Sequence, residues 1–312
     1  MFFKHDEQLE QLGNGILEAT WTKFSTLARN QIALTWIIYD PPVPVNTGGA
    51  LTPNAFWNHP VRGFNYRGGE TIYPASVIKL FYLLAIHEWQ QKGMTESSEE
   101  LERAIRDMIV DSSNDATSLV VDVLTGTTSG PELPPGPFET WKKQRHIVNR
   151  YLQSLGWEEL QNVNVCQKTW GDGPYGRERA FYGQLLENRN MLTTNAIARL
   201  MHAIVGGVAV TATRSQEMMN IMKRSLDPEE LPKNVEEDQI TGFLGGSLPQ
   251  SAKIWSKAGW TSSVFHDAAY IEIPDKRPYL LIVFTEGKAY AKSREILPFV
   301  SGQVMEAVSG MD

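Results

Sequence analysis

Cysteine is almost missing from this chain of 312 residues: Cys166 stands alone. An intrachain disulfide is excluded, and so is a zinc site built on several thiolates. Within Val163-Asn164-Val165-Cys166 the residue reads as a small buried hydrophobe. The six histidines are scattered, and none forms a His-x-x-x-His pair that would hold a metal on one helix face. No metal and no cofactor is expected.

Positive charge is also in short supply. Lys and Arg total 29 against 36 Asp and Glu, a formal net charge of -7. Nucleic-acid binding needs a basic patch, so that class of partner is not expected. The short cluster Lys142-Lys143-Gln144-Arg145 reads as a solvated helix face. No apolar run approaches the roughly 20 residues of a membrane span. The segment Met1-Phe2-Phe3-Lys4-His5-Asp6-Glu7 turns acidic at once and has no apolar signal core. On the sequence as given the expected compartment is cytoplasmic; a truncated N-terminus would make it periplasmic. There is no internal repeat and no low-complexity tail.

What is present suits a soluble globular chain. Hydrophobic residues make up 42% and charged ones 21%, enough for a sizeable core in one large domain or two smaller ones. Residues 5–29 carry Leu9, Leu12, Ile16 and Leu17 at helical spacing. The β-branched and aromatic run Ile32-Ala33-Leu34-Thr35-Trp36-Ile37-Ile38-Tyr39 reads as a strand. Pro41, Pro42, Pro44, Pro53 and Pro60, with Gly48-Gly49, mark a long irregular loop. Residues 62–72 suggest one or two short strands. Helical patterns then occupy 76–91, 97–111, 114–124, 138–155, 194–205 and 214–224. Strands return at 252–257, 264–273 and 279–286, the last two joined by the turn signal Pro274-Asp275-Lys276-Arg277. A final helix is expected at about 291–309, with Pro298 as a kink or restart. The expected fold is α/β (α+β): one antiparallel sheet built from both chain ends and flanked by the terminal helices, with an inserted all-helical subdomain. The division falls at 1–73 and 226–312 for the sheet subdomain and 74–225 for the helical one, within a single domain of 1–312.

The chemistry starts from Tyr73-Pro74-Ala75-Ser76-Val77-Ile78-Lys79-Leu80-Phe81-Tyr82-Leu83-Leu84-Ala85-Ile86. The helix is apolar nearly all round, hence buried, and Lys79 lies inside it. Burying an ammonium costs several kcal/mol unless it is paired or deprotonated. Ser76 lies three residues earlier, on the same helix face. A lysine kept near neutrality there is suited to take the serine's proton. The ordinary alternatives are an N-cap serine and a lysine that snorkels out. A lone Ser-x-x-Lys arises about once by chance in a chain this long, so the context matters. Ser112-Ser113-Asn114 stands between two helices, and Lys257-Ala258-Gly259 ends a strand.

Ser-x-x-Lys, then Ser-x-Asn, then Lys-x-Gly resembles the active site of penicillin-recognising serine enzymes, most closely class A β-lactamases. The turns Gly93-Met94-Thr95 and Leu124-Thr125-Gly126, the pair Thr193-Thr194 and the hairpin from Lys257 to Gly287 resemble that family too. By that resemblance Ser76 is the nucleophile that is acylated, and Lys79 its general base, directly or through water. Ser112 relays the proton to the leaving nitrogen. Asn114 holds Lys79 and donates to the substrate. Lys257 lies near Ser112 and the substrate carboxylate, and lowers the proton affinity of Lys79 by repulsion. The backbone N–H groups of Ser76 and Trp260 form the oxyanion hole. The implied partner is a small β-lactam or a peptidoglycan stem peptide.

Four departures stand out. The middle of the third motif is Ala258, where the family carries a hydroxyl that binds the carboxylate; Thr261, Ser262 or Ser263 is a candidate replacement. His266 takes the place of an arginine facing that carboxylate and would serve only while protonated; its plain reading is a histidine bonded to Asp267 or a sheet neighbour. Glu178, in Gly176-Arg177-Glu178-Arg179-Ala180-Phe181-Tyr182, has about the spacing of the deacylating glutamate, but its neighbours differ. Its plain reading is a loop glutamate paired with Arg177 or Arg179. The stretch between the first two motifs is short, and the Pro-rich insert 126–138 after the second is long. Three functions follow in order: a β-lactamase-like hydrolase, a D,D-peptidase or penicillin-binding protein, and a non-catalytic relative.

Overall fold

The structure, a computed structural model, describes residues 1–40 and 49–311. The first half of the expected Pro-rich loop therefore lies outside the described residues. The chain divides into two compact units, Met1–Glu70 with Thr193–Asp312, and Thr71–Leu192.

The first unit begins with a short strand, β1 (Phe3–His5), and the helix α1 (Glu7–Lys23), whose start is fixed by Asp6 accepting from the Leu9 N–H. Glu7 and Glu10 in its first turn and Lys23 in its last complement the helix dipole. Strand β2 (Ile32–Ile38) is buried along its whole length. A short helix, α2 (Pro53–Trp57), capped by Thr52, interrupts the expected loop. Strand β3 (Val61–Tyr66) follows.

The second unit is helical: α3 (Lys79–Gln91), α4 (Glu99–Ile109), α5 (Asn114–Thr125), α6 (Pro135–Arg145), α7 (Ile147–Ser154) and α8 (Gly176–Tyr182). A 3₁₀ turn, Ala75–Ile78, leads into α3. The single helix expected at 138–155 is two, α6 and α7, broken at His146. Helix α8 carries no apolar periodicity long enough to announce itself.

The chain then returns to the first unit with α9 (Thr194–Val205), α10 (Ala212–Met222), β4 (Lys223–Arg224), β5 (Lys253–Trp260), β6 (Val264–Glu272), β7 (Tyr279–Glu286) and α11 (Ile296–Ser309). Pro298 sits in the first turn of α11, which begins at Ile296 and where no intrahelical backbone N–H bond is needed. The seven strands form one sheet in the order β1-β3-β2-β7-β6-β5-β4. Only β1 and β3 run parallel; the rest pair antiparallel. The mixed α+β expectation, with a sheet drawn from both chain ends, is what the structure has. Helices α9 and α10, however, belong with the sheet rather than with the helical unit.

Strand alternation divides the sheet into two faces. Leu34, Trp36, Ala258, Phe265, Ala269, Leu281 and Val283 pack with α1 and α11 in one core. The opposite face meets α9, where Thr35 bonds Thr194 and Asn195 at 2.7 and 2.8 Å. Because both faces are covered, β2 reads as a continuous apolar run rather than an alternating one. No helix among the described residues is long and apolar enough to cross a membrane.

On α1, a Cβ at Gly13 would lie 2.3 Å from the Phe64 ring of β3. Gly13→Ala is expected to destabilise the fold by about 1–3 kcal/mol through overpacking, read as a lowered thermal midpoint. An unchanged midpoint would show that α1 is not seated this closely on β3.

Candidate active site

In the helical unit, Lys79 opens α3 immediately after the turn that carries Ser76. Its own N–H bonds back to the carbonyls of Ser76 and Val77. Ala75, the residue before Ser76, holds φ 47°, a region that costs a non-glycine residue energy. The Lys79 side chain is fully buried. Its Nζ donates to Ser112 O at 2.6 Å, to Asn114 Oδ1 at 3.0 Å and to Ser112 Oγ at 3.2 Å, and approaches Ser113 O at 3.4 Å. Ser112 also has a left-handed φ, 56°. That twist lets its carbonyl and its hydroxyl reach the same ammonium. Ser113 caps α5 through the Ala116 N–H, which fixes Asn114 in the first turn. The structure thus brings Lys79, Ser112 and Asn114 together. Burial lowers the Lys79 pKa to about 7.

Glu178 lies elsewhere in the same unit. It is fully buried and paired with equally buried Arg145. Ser129 donates to the same Oε1 at 2.9 Å, and Lys168 Nζ stands 4.0 Å away. Lys168 also bonds Asp122 at 2.7 Å and Ser129 at 2.8 Å. Neither expected neighbour is the partner. Arg177 bonds the Pro131 carbonyl, and Arg179 lies over Tyr182. Asp122 follows Asn114 by two helical turns, about 12 Å along α5. The glutamate cluster is therefore gathered at the far end of that helix. Its Oε2 has no hydrogen-bond partner among the described residues.

Arg145 corrects a sequence expectation: the basic cluster is not a solvated face throughout. Arg145 is buried against Trp141 at 4.6 Å, while Lys143 is exposed. The signal was its spacing, four residues after Trp141 on one helix face. Cys166 is buried in the small core of Trp141 and Phe181, and burial pushes its thiol well above the usual range.

In the sheet unit, Lys257 is fully buried on β5. Its Nζ donates to Ala258 O at 2.7 Å and Gln239 Oε1 at 3.3 Å. Ala258 points the other way, into the core shared with α11. It stands opposite Asp267 of β6. Burial raises the Asp267 carboxyl to about 6, although the N–H groups of Leu244 and Ala268 donate to it. Thr261 N–H bonds Val264 O at the hairpin end. Antiparallel alternation then turns the Trp260 N–H away from β6, toward the free edge of β5. Strand β4 pairs only with Ile254 and Trp255 on that edge. His266 is fully buried, and its ring stacks on Phe284 at 3.9 Å. Its Nδ1 accepts from the Thr285 N–H at 3.1 Å. An accepting nitrogen carries no proton, so in this arrangement the ring is neutral. The sheet-neighbour alternative describes this placement.

A family model described as "Beta-lactamase enzyme family" matches residues 95–308. No curated protein matches the sequence significantly. Among solved structures, the β-lactamase from Sphaerobacter thermophilus is similar at 16% identity, with a TM-score of 0.64, covering 96% of this chain and 98% of that one. An acyl-enzyme complex of a PBP-A point mutant with penicillin G is similar at 16% identity and a TM-score of 0.65, covering 99% and 98%. A reconstructed ancestral class A β-lactamase of Gram-negative bacteria matches at 18% identity and 0.60, covering 95% and 99%. At these identities the likeness is one of fold.

Removing one member of a buried ion pair leaves an uncompensated charge. Arg145→Ala is therefore expected to cost about 3–5 kcal/mol, measured by urea unfolding. A loss below about 1 kcal/mol would mean that the pair is solvated.

Proposed function

Since the chain belongs to the β-lactamase enzyme family, we propose that it is a serine hydrolase that opens β-lactam or related amide bonds through an acyl-enzyme on Ser76. The observation that carries this reading is the buried Lys79 amine, held by Ser112 and Asn114 and brought to a pKa of about 7. In its neutral form Lys79 takes the Ser76 hydroxyl proton, directly or through water. The Ser76 oxygen then attacks the substrate carbonyl. The N–H groups of Ser76 and Trp260 receive the developing oxyanion, a role supported for Trp260 by its position on the free strand edge. As the C–N bond breaks, Ser112 passes a proton to the leaving nitrogen. Asn114 keeps Lys79 in place, and Lys257 supplies positive charge on β5.

The placement of Glu178 favours a second reading for the last step. A water-activating carboxylate must reach the ester it hydrolyses. Glu178 is engaged by Arg145 and Ser129 beside Asp122, two turns along α5 from Asn114. It acts as a structural group, and the acyl-enzyme is long-lived, in the manner of a penicillin-binding protein. His266, neutral against Thr285, is a packing residue in this scheme.

Intact mass after incubation with benzylpenicillin is expected to show an adduct that disappears in Ser76→Ala. A wild-type protein without adduct or turnover, with benzylpenicillin and a chromogenic cephalosporin alike, would leave the non-catalytic relative as the answer. The acylation rate should rise with pH through about 7, because only unprotonated Lys79 accepts the proton; a flat profile from about pH 5 to 9 would remove its role as base. Glu178→Gln is expected to keep the deacylation rate within about 3-fold while lowering stability. A loss of deacylation by ~10²-fold in a folded variant would restore Glu178 as the base.

A further inference from the structure

Large apolar side chains that meet solvent are not scattered over this chain. Among the described residues Tyr175, Leu185 and Leu186 are exposed in one stretch of the helical unit, and Val235 in one stretch of the sheet unit; the others are Met1 and Met94. The two stretches carry opposite charge.

Helix α8 sets the first. Glu178 and Phe181 are its buried face: Glu178 pairs with Arg145, and the Phe181 ring stands edge-on to Trp141 at 5.3 Å. Arg179 and Tyr182 fall on an adjoining face, with the guanidinium 5.8 Å from the ring. Arg179 is exposed, and no ion pair joins it to a described residue. Arg189 is half-buried over Tyr73 at 3.9 Å and has no carboxylate partner among the described residues either. The exposed carboxylate of this stretch, Glu187, accepts from the Leu185 N–H at 3.2 Å. Between these arginines Leu185 is 85% exposed, and Leu186 holds a left-handed φ of 61°. Two adjacent leucines left in water, one of them strained, gain by being covered.

The second stretch is acidic. Residues 227–238 hold Asp227, Glu229, Glu230, Glu236, Glu237 and Asp238 against Lys233. Asp238 is spent on the N–H groups of Ile240 and Thr241. Glu229, Glu230 and Glu236 are exposed and form no ion pair with a described residue. Asn234 shapes the tip: its side chain accepts from the Glu236 N–H and donates to Glu237, both at 3.0 Å. Arg294 donates to the Val235 carbonyl, so the tip is held on the sheet unit with the Val235 side chain outward.

We propose that these surfaces are the two halves of one interface between copies of this chain: Arg179, Arg189, Leu185 and Leu186 of one copy receive Val235 and the Glu229, Glu230 and Glu236 carboxylates of a second. The partner is a second copy because both signs of charge, each beside exposed apolar side chains, occur in the same chain. A net charge of -7 keeps copies apart at long range; local complementarity of this kind fixes which patches meet. Each copy carries both halves, so association closes at two copies or continues in series. Few anchors and exposed charges make it transient, with a Kd that is micromolar or weaker, about 10⁻⁶–10⁻⁴ M. The interface is independent of the chemistry at Ser76.

Sedimentation equilibrium of the full chain from about 1 to 300 µM tests it. The mean mass is expected to rise with concentration, and added salt should weaken the rise. Arg179→Glu alone and Glu236→Arg alone should each lower the association constant by about 10-fold or more. An equimolar mixture of those two variants should recover it, since the reversed charges then meet across copies. Leu185→Asn, which leaves the charge unchanged, should weaken association as well. A single-chain mass over the whole range, association that neither reversal moves, or a mixture that stays dissociated would each overturn the interface. Vesicles of phosphatidylglycerol provide the contrasting arm. If the wild-type chain stays monomeric and cosediments with them, and Arg179→Glu abolishes this, the arginine surface serves an anionic lipid and the interface falls.

Discussion

A buried ammonium is the constraint on which the helical unit turns. Lys79 is out of reach of solvent, so its Nζ must be satisfied by protein oxygens or surrender its proton. The chain does some of each. Ser112 and Asn114 supply three close oxygens, yet burial still brings the pKa to about 7. To present those oxygens, the turn between α4 and α5 takes a left-handed serine. The conformation is strained, and the lysine contacts hold it in place. Strain and burial are therefore two sides of one arrangement, a base half deprotonated near neutrality.

Much of this was legible from residue order. The β-branched run of β2 and the turn signal between β6 and β7 marked the strands, because both are local properties. The apolar surroundings of Lys79 announced its burial, since a helix that is greasy all round leaves no solvated face for it. The charged cluster around Glu178 was not legible. Arg145, Lys168, Asp122 and Ser129 come from four separate segments, and nothing in the sequence near Glu178 names them. The unit boundary was missed for a similar reason. Helices α9 and α10 follow helices in the chain but pack on strands, and only tertiary contact decides that.

The third motif shows how strand geometry limits what a substitution can do. Successive side chains alternate between faces, so Lys257 and Ala258 meet different surroundings. Lys257 lies on the face opposite that core, bonded to Gln239 and to the next carbonyl. Ala258 belongs to the core under α11. Its backbone carbonyl still contributes, but its side chain answers to packing.

Asp267 makes that packing argument specific. It lies directly across from Ala258 on β6, fully buried, and ties down the turn that begins at Leu244. Directly opposed residues in an antiparallel pair have Cβ atoms about 4.5–5.5 Å apart. A hydroxyl at position 258 would stand against the Asp267 carboxylate before it met anything beyond the strand edge. A carboxylate in the core needs such donors, and a substrate outside it would lose the competition. Alanine at 258 and aspartate at 267 are consistent with each other in this way: the small side chain leaves room for the acid, and the acid removes the value of a hydroxyl beside it.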